Sequence, residues 1–231
     1  MPSLLFLHGA LGSREQFAPL LPLLGESLRP HLLDFEGHGA QAGRGRPFRI
    51  EHFAENVAEY LEREAAAVGG PVRIFGYSMG GYVALHLART RPQLVERVMT
   101  LGTKFLWRPE HAAREIALLD AARIREKVPH FAHALAERHT ASGWEDVLDR
   151  TAEMMRALGE RAPLGPPELA EISQRVRIAV GDRDTVVSVE ESTGVYRGLP
   201  LAELQVLPAT PHALEKVSWT RLARAVREFF A

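Results

Sequence analysis

The sequence predicts an α/β fold, in which a mostly parallel, doubly wound β-sheet is covered by helices on both faces and is interrupted by one helical insertion. Three observations predict this class. Short apolar segments alternate with helical ones along most of the chain, turns containing glycine and polar residues follow several of the apolar segments, and one long segment lacks any strand pattern. The 231 residues suffice for one large domain or for a domain with an insertion.

The first half of the chain alternates predicted strands and helices. An apolar run predicts a strand at 4–7, a helix is expected at 14–24, and a second strand at 31–35 runs into a Gly-His-Gly turn. A segment rich in Glu and Ala predicts a helix at 50–68, which Gly69-Gly70-Pro71 would end. A strand at 72–75, a helix at 81–88 and a strand at 97–101 follow. Such alternation gives a parallel sheet with sites at the carboxyl ends of its strands.

The second half begins with a segment that is rich in Ala, Arg and Glu and has no strand pattern. We therefore predict a core domain at 1–105 and 172–231, and a helical cap at 106–171. The position of the cap would turn its large apolar residues towards the mouth of the core, but plain helix packing is the favoured interpretation for most of them; they include Phe131, Trp144, Met154 and Met155. Strands at 176–180 and 204–207 and helices at 189–196 and 213–230 complete the alternation.

Composition excludes several classes of function. The chain has no cysteine, so disulfides, thiol catalysis and cysteine metal sites are excluded. Its net charge of −1 and its lack of a long basic stretch argue against a nucleic-acid partner. No apolar run approaches the roughly 20 residues of a transmembrane helix, and the N-terminus lacks the basic region of a signal peptide. We expect a cytoplasmic protein with no membrane partner, either monomeric or homodimeric.

The pentapeptide Gly76-Tyr77-Ser78-Met79-Gly80 has the pattern Gly-x-Ser-x-Gly. It lies between an apolar strand and a helix, which is the context of a nucleophile elbow. The serine of such a turn has a strained backbone, and its neighbouring glycines avoid clashes with the crossing strand and helix. We therefore predict that Ser78 is a nucleophile. An ordinary turn with a capping serine is the structural alternative.

Candidate partners of Ser78 follow two later strands. A serine hydroxyl needs a base to take its proton, and that base is usually a histidine oriented by a carboxylate. His212 is the one histidine after residue 139, and it follows the last strand. Asp182 and Asp184 follow the strand at 176–180. All these positions are expected on the same rim of the sheet as Ser78.

These motifs resemble those of the α/β-hydrolase superfamily over nearly the whole chain. The resemblance is carried by Leu7-His8-Gly9, the turn from Asp34 to Gly39, the Gly-x-Ser-x-Gly pentapeptide, Gly181-x-x-Asp184 and His212. It implies an α/β-hydrolase fold and a triad in the chain order Ser78, Asp184, His212, with Asp182 as the competing acid. It also implies that Asp34, His8 and His38 stabilise turns.

The resemblance further implies an oxyanion hole, which needs two backbone N–H donors aimed at the developing alkoxide. Met79, the residue after the nucleophile, supplies one donor. The loop after His8-Gly9 supplies the other, from Ala10 or, as a fallback, from Leu11. Candidate substrate-lining residues are Leu11, Tyr82, Thr103, Lys104, Phe105 and Trp144, and core packing is the alternative for Tyr82.

The favoured function is a serine hydrolase acting on a small-molecule carboxylic ester or thioester. The alternatives are a carbon–carbon bond hydrolase or a lyase of the menaquinone-pathway type with the same triad, and a non-catalytic binding module. Tyr82 stands where that lyase typically carries arginine. No cofactor is expected. His130, His133 and His139 are expected to form a solvated helix face and not a metal site, because too few further ligands accompany them.

Overall fold

The computed structural model describes residues 1–230. Its central sheet has six strands: β1 (Ser3–Leu7), β2 (Arg29–Leu33), β3 (Val72–Tyr77), β4 (Val95–Leu101), β5 (Arg175–Gly181) and β6 (Ala202–Leu207). Neighbouring strands are parallel throughout, in the order β2-β1-β3-β4-β5-β6. The predicted α/β class is therefore confirmed.

The strand order creates a crevice between β1 and β3, at the carboxyl ends of the strands. From β1 the chain moves outward to β2 and then returns past β1 to β3, so the direction of winding reverses between β1 and β3. In open α/β sheets a crevice forms outside the carboxyl ends of the strands at such a point. The loops that follow β1 and β3 carry Ala10 and Ser78, which therefore lie on either side of this crevice.

Helices cover both faces of the sheet. They are α1 (Ile50–Arg63), α2 (Ala65–Val68), α3 (Met79–Thr90), α4 (Pro109–Ile116), α5 (Ala121–Lys127), α6 (Pro129–Arg138), α7 (Trp144–Glu160), α8 (Pro166–Ala170), α9 (Val189–Gly198) and α10 (Trp219–Phe230). Successive strand residues point to opposite faces. Leu5 and Leu7 pack in the core formed with α1, α3 and α9, whereas Leu4 and Phe6 pack in the core formed with α10.

Five helices, α4 to α8, lie between β4 and β5, in the segment 106–171 that we call the insertion. The insertion has a small hydrophobic cluster of its own, formed by Ile124, Ala132, Leu135, Trp144 and Leu148. Helix α7 also contributes Val147, Met154 and Leu158 to the core on the α1 and α3 side. The insertion is therefore packed against the sheet domain through α7. The domain boundaries predicted above remain a prediction.

Two predicted helices differ from the structure. The helix predicted at 14–24 is wrong: this segment forms two short 3₁₀ turns, Arg14–Phe17 and Leu21–Leu23. Pro19 and Pro22 interrupt it, because proline has no N–H to donate and its ring clashes with the preceding turn. The last helix begins at Trp219, and a 3₁₀ turn at Leu214–Lys216 precedes it. The loop that carries His212 is longer as a result.

Candidate active site

Ser78 lies at a sharp turn between β3 and α3. Its φ of 50° and ψ of −117° are unusual for a residue with a side chain, as expected of a nucleophile elbow. Its N–H donates to the carbonyl of Leu101 at 2.8 Å. A Cβ on Gly76 would lie 2.4 Å from the Cα of Gly81, and a Cβ on Gly80 would lie 2.2 Å from the carbonyl oxygen of Leu7. Both glycines are thus required by close backbone contacts.

Asp184 and His212 form a hydrogen-bonded pair at the ends of β5 and β6. Asp184 Oδ2 lies 2.8 Å from His212 Nδ1, while Asp184 Oδ1 accepts the N–H groups of Val186 and Val187, each at 2.8 Å. The aspartate side chain is only 2 % exposed. Since both carboxylate oxygens are engaged, the carboxylate is fixed and in turn orients the imidazole ring. Nδ1 faces the aspartate, so Nε2 is the nitrogen available for proton transfer.

The aspartate–histidine pair lies next to the elbow. A Cβ on Gly102 would be 3.0 Å from Asp184 Oδ2 and 3.2 Å from His212 Nδ1, and the preceding residue, Leu101, accepts the Ser78 N–H. Tyr77, the neighbour of Ser78, donates its hydroxyl to the carbonyl of His212 at 2.9 Å. The structure describes no hydrogen bond between Ser78 Oγ and the His212 ring. Ser78, Asp184 and His212 therefore lie at one site, although the serine and the histidine are not hydrogen-bonded to each other.

Asp182, the competing acid, and Asp34, the predicted turn residue, have other partners. Asp182 Oδ1 accepts the N–H of Thr210 at 3.2 Å and so holds the loop after β6. Asp34 Oδ1 accepts the N–H of Arg14 at 2.7 Å. A Cβ on Gly39 would lie 2.5 Å from Asp34 Oδ2, which agrees with the predicted role of this aspartate at the Gly-His-Gly turn.

Ala10 and Met79, the predicted oxyanion donors, line the same cavity as Ser78. Met79 is the first residue of α3, where N–H groups have no acceptor within the helix. Ala10 belongs to a turn closed by a hydrogen bond of 3.1 Å from the Gly12 N–H to the Gly9 carbonyl. Leu11, the fallback donor, has a positive φ of 58°. Both predicted donors thus flank the nucleophile.

The cavity at Ser78 encloses about 450 Å³ of space, including its open mouth. Its lining is largely apolar and consists of Ala10, Ile50, Ser78, Met79, Tyr82, Lys104, Trp107, Glu115, Met154, Met155, Leu158 and Val186. The charged groups are Lys104 and Glu115, whose side chains lie 3.4 Å apart and are 12 % and 19 % exposed. Lys104 Nζ also donates to the carbonyl of Val186 at 3.2 Å. An ion pair therefore interrupts an apolar wall.

Of the predicted lining residues, Tyr82 and Lys104 contact the cavity. The hydroxyl of Tyr82 is not available to a substrate, because it accepts the Leu164 N–H at 3.1 Å and lies 3.5 Å from the Leu164 carbonyl. Burial raises the pKa of this phenol well above its ordinary value, so the group stays neutral. The Leu164 backbone thus holds the Tyr82 hydroxyl, which agrees with the core-packing alternative for this residue.

Four predicted lining residues do not line the cavity. Thr103 donates its hydroxyl to the carbonyl of Ser78 at 2.9 Å and so stabilises the backbone of the nucleophile turn. Phe105 stacks on Tyr82 with ring centroids 5.7 Å apart. Trp144 belongs to the hydrophobic cluster of the insertion, and Leu11 packs against that cluster. For these residues the interactions of the core and the insertion decide the position of the side chain.

Phe131 also packs on the insertion cluster, which is the plain helix packing expected for most of these residues, whereas Met154 and Met155 line the cavity. The sequence did not identify five further lining residues, which are Ile50, Trp107, Glu115, Leu158 and Val186. No local pattern separates them from ordinary helix and loop residues, because their shared wall exists only after α1 and α4 have packed near Ser78.

The histidines outside the pair are mostly structural. His8 Nε2 accepts the Phe35 N–H at 3.2 Å, and its Nδ1 lies 2.8 Å from the Gly9 carbonyl, in agreement with a turn-stabilising role. Burial lowers the pKa of His8 to about 3. His38 is also fully buried, and this burial lowers its pKa well below the ordinary value. Neither ring is suited to act as a base near neutral pH.

His139 departs from the predicted solvated helix face: its ring is buried and only His130 and His133 are exposed. Among residues 1–230, no group of three or more His, Asp or Glu side chains is arranged to hold a metal ion. Within the same residues no helix has both the length and the apolar character needed to cross a bilayer.

Comparisons with known proteins agree with this architecture. The sequence model of the alpha/beta hydrolase family matches residues 4–225. The sn-1-specific diacylglycerol lipase ABHD11 of Mus musculus is 26% identical over 263 residues, covering 100% of this chain and 81% of the lipase. A pimeloyl-[acyl-carrier protein] methyl ester esterase of Aromatoleum aromaticum is 33% identical over 135 residues, covering 57% of this chain and 50% of the esterase.

Among solved structures, the 2-hydroxy-6-oxo-6-phenylhexa-2,4-dienoate hydrolase of a Rhodococcus species superposes with a TM-score of 0.79. The match covers 99% of this chain and 90% of that one, at 22% sequence identity. At this identity the likeness concerns the fold alone.

Proposed function

This chain belongs to the alpha/beta hydrolase family, and from that premise we propose that it is a serine hydrolase that cleaves a carboxylic ester or thioester through an acyl-enzyme on Ser78. The observation that carries the proposal is the buried Asp184–His212 pair, 2.8 Å between Oδ2 and Nδ1, beside a serine in a strained turn. A serine that only caps a helix would need neither a strained backbone nor an aspartate–histidine pair beside it.

The reaction follows from the chemistry of these groups. Ser78 Oγ attacks the carbonyl carbon of the substrate while His212 Nε2 takes the hydroxyl proton. Asp184 stabilises the imidazolium that forms. The carbonyl oxygen becomes an alkoxide, which the N–H groups of Ala10 and Met79 receive. As the alkoxide collapses, the leaving alcohol or thiol takes the proton from Nε2.

Deacylation repeats these steps with water. His212 Nε2 takes a proton from the water, the resulting hydroxide attacks the acyl carbon, and Ser78 leaves with the proton returned by the histidine. No cofactor is needed for either half of the reaction, because every proton and electron pair moves between the substrate, water and these side chains.

The cavity supports a substrate of small to medium size. Its apolar walls suit a short acyl chain, and the Lys104–Glu115 pair offers one polar contact. The names of the relatives support ester chemistry, since one is a lipase and another a methyl ester esterase. Carbon–carbon bond hydrolysis by the same triad is the alternative.

The test is Ser78→Ala, assayed on p-nitrophenyl esters of increasing acyl length beside a panel of carbon–carbon hydrolase substrates. We expect hydrolysis of esters by the wild type and a loss on the order of 10⁶ in turnover in the variant. A fluorophosphonate should label Ser78 in the wild type, and the exposed Ser27→Ala should behave as wild type.

Each other outcome has a definite meaning. Undiminished turnover in a folded Ser78→Ala protein would end the serine-hydrolase proposal. Turnover only on the carbon–carbon panel would replace ester chemistry by the alternative. Absence of both turnover and fluorophosphonate labelling would favour a binding module.

A further inference from the structure

The carbonyl of Leu11 accepts two hydrogen bonds from the insertion. Arg138 Nη1 donates to it at 2.8 Å, and His139 Nε2 lies 3.0 Å from it. Both donors lie at the carboxyl end of α6. Leu11 is the residue directly after Ala10, whose N–H we assign to the oxyanion hole. The insertion therefore contacts the backbone next to the reacting atoms.

Leu11 has a backbone conformation that needs support. Its φ of 58° lies in the left-handed region, which a leucine occupies only where its surroundings hold it. Its side chain packs on the insertion cluster that includes Leu135 and Trp144. The side chain and the carbonyl of the same residue are thus both held by the insertion. If they were released, the turn at 9–12 would be free to relax.

His139 can make its contact in only one protonation state. Its Nδ1 accepts the N–H of Gly39 at 3.1 Å, so the ring proton is on Nε2 and is donated to Leu11. The residue is 1% exposed, and burial lowers the pKa of its ring, which favours the neutral form. The ring thereby joins the loop after β1 to the loop after β2.

We propose that Arg138 and His139 are positioning residues for the oxyanion hole, because by fixing the Leu11 carbonyl they hold the Ala10 N–H where the alkoxide develops. This inference rests on the proposed function of Ser78. It assigns the insertion a part in catalysis beyond covering the cavity. A displacement of about 1 Å of a catalytic group can cost on the order of 10²-fold in rate.

The test removes each donor and then restores one. Arg138→Met, His139→Leu and the double variant remove them, whereas Arg138→Lys and His139→Gln keep a donor group. Matched controls are Arg123→Met and His133→Leu, at exposed positions of the insertion. Turnover and KM are measured on p-nitrophenyl butyrate. The inhibition constant of butylboronic acid is also measured, because its tetrahedral adduct with Ser78 occupies the oxyanion hole.

We expect the double variant to lose about 10- to 100-fold in kcat with KM changed less than about threefold. The inhibition constant of the boronic acid should rise by a similar factor, which a role in access or packing alone would not produce. The lysine and glutamine variants should recover part of the loss. A folded double variant with unchanged kcat, or with lower kcat but unchanged affinity for the boronic acid, would overturn the proposal.

Amide hydrogen exchange provides a measurement that does not depend on activity. The amides of residues 9–12 should exchange faster in the double variant than in the wild type or the controls. If the wild type failed to hydrolyse esters, the proposed function would fail, but this exchange measurement would still decide whether the insertion fixes the turn. Unchanged exchange in all variants would refute that link.

Discussion

Acidification from pH 8 to pH 5 should destabilise this protein through its buried histidines. Burial is the main cause that lowers the pKa of four of them, His8, His38, His86 and His139. A lowered pKa means that the folded state binds fewer protons than the unfolded state near pH 6. The stability is therefore complete above the unfolded pKa of 6.5 and falls as the pH drops from 6.5 towards the folded value.

The contribution of His8 alone shows the size of the expected loss in unfolding free energy. Its pKa is about 3 in the folded state against 6.5 for an ordinary histidine. At pH 5 the unfolded chain binds this proton and the folded protein does not, which costs about 2 kcal/mol relative to pH 8, at 1.36 kcal/mol per pKa unit. Each further buried histidine adds a loss of at most about 1.4 kcal/mol per pH unit. Carboxylates titrate mainly below about pH 4.5 and do not dominate this window.

The assay is urea unfolding followed by circular dichroism at pH 8, 7, 6 and 5. His86→Leu should reduce the pH dependence, because His86 is a buried histidine of α3 with an Nδ1 that has no hydrogen-bond partner among the described residues. The exposed Ser27→Ala, which changes no titratable group, should leave the dependence unchanged. An unfolding free energy that stays within about 0.5 kcal/mol between pH 8 and pH 5 would refute the reasoning, since His8 alone requires about four times that change.

Three further predictions concern the acid, the elbow and the cavity. Asp184→Asn should lower kcat by about 10⁴-fold by favouring the wrong histidine tautomer, whereas Asp182→Asn should cost less than about tenfold; a reversed order in steady-state kinetics would reassign the acid. Gly80→Ala should abolish folding, because its Cβ would lie 2.2 Å from a backbone oxygen of β1. Gly194→Ala, with no atom within 4 Å of its Cβ, should stabilise α9 by about 0.5 to 1 kcal/mol in thermal unfolding; equal effects of the two changes would contradict the packing argument. Met155→Ala should shift the preferred acyl chain to greater length and change turnover on p-nitrophenyl acetate less than about tenfold; an unchanged chain-length profile would exclude Met155 from the acyl site.

Local patterns predicted the sheet well, because buried parallel strands are recognisable as short apolar runs. All six strands lie where the sequence places them, to within about two residues at most ends. The helix predicted at 14–24 failed for a local reason as well, since Pro19 and Pro22 interrupt it. The order β2-β1-β3-β4-β5-β6 could not be read from the sequence, because no residue specifies which strand it will neighbour.

The candidate site was partly predictable for a related reason. Ser78, Asp184 and His212 follow strand ends, and parallel strands bring their carboxyl ends to one edge. The choice of Asp184 over Asp182 rested on resemblance, and the structure separates them by their partners, His212 and the Thr210 N–H. The lining residues were predicted least well, because a wall is formed by side chains from several distant elements.

The sequence by itself determined the strands, the strained serine turn with its glycines, and the loops that carry the acid and the histidine. The strands and the serine turn depend on apolar runs and on backbone sterics, which are properties of neighbouring residues. The loops that carry the acid and the histidine are identified by the strands that they follow along the chain. Only the tertiary structure decided that Trp144 packs within the insertion, that Glu115 meets Lys104 at the cavity, and that Arg138 and His139 reach the carbonyl of Leu11. Those contacts join residues far apart in the chain, so they form only when the insertion has packed against the sheet domain and buried the groups that make them.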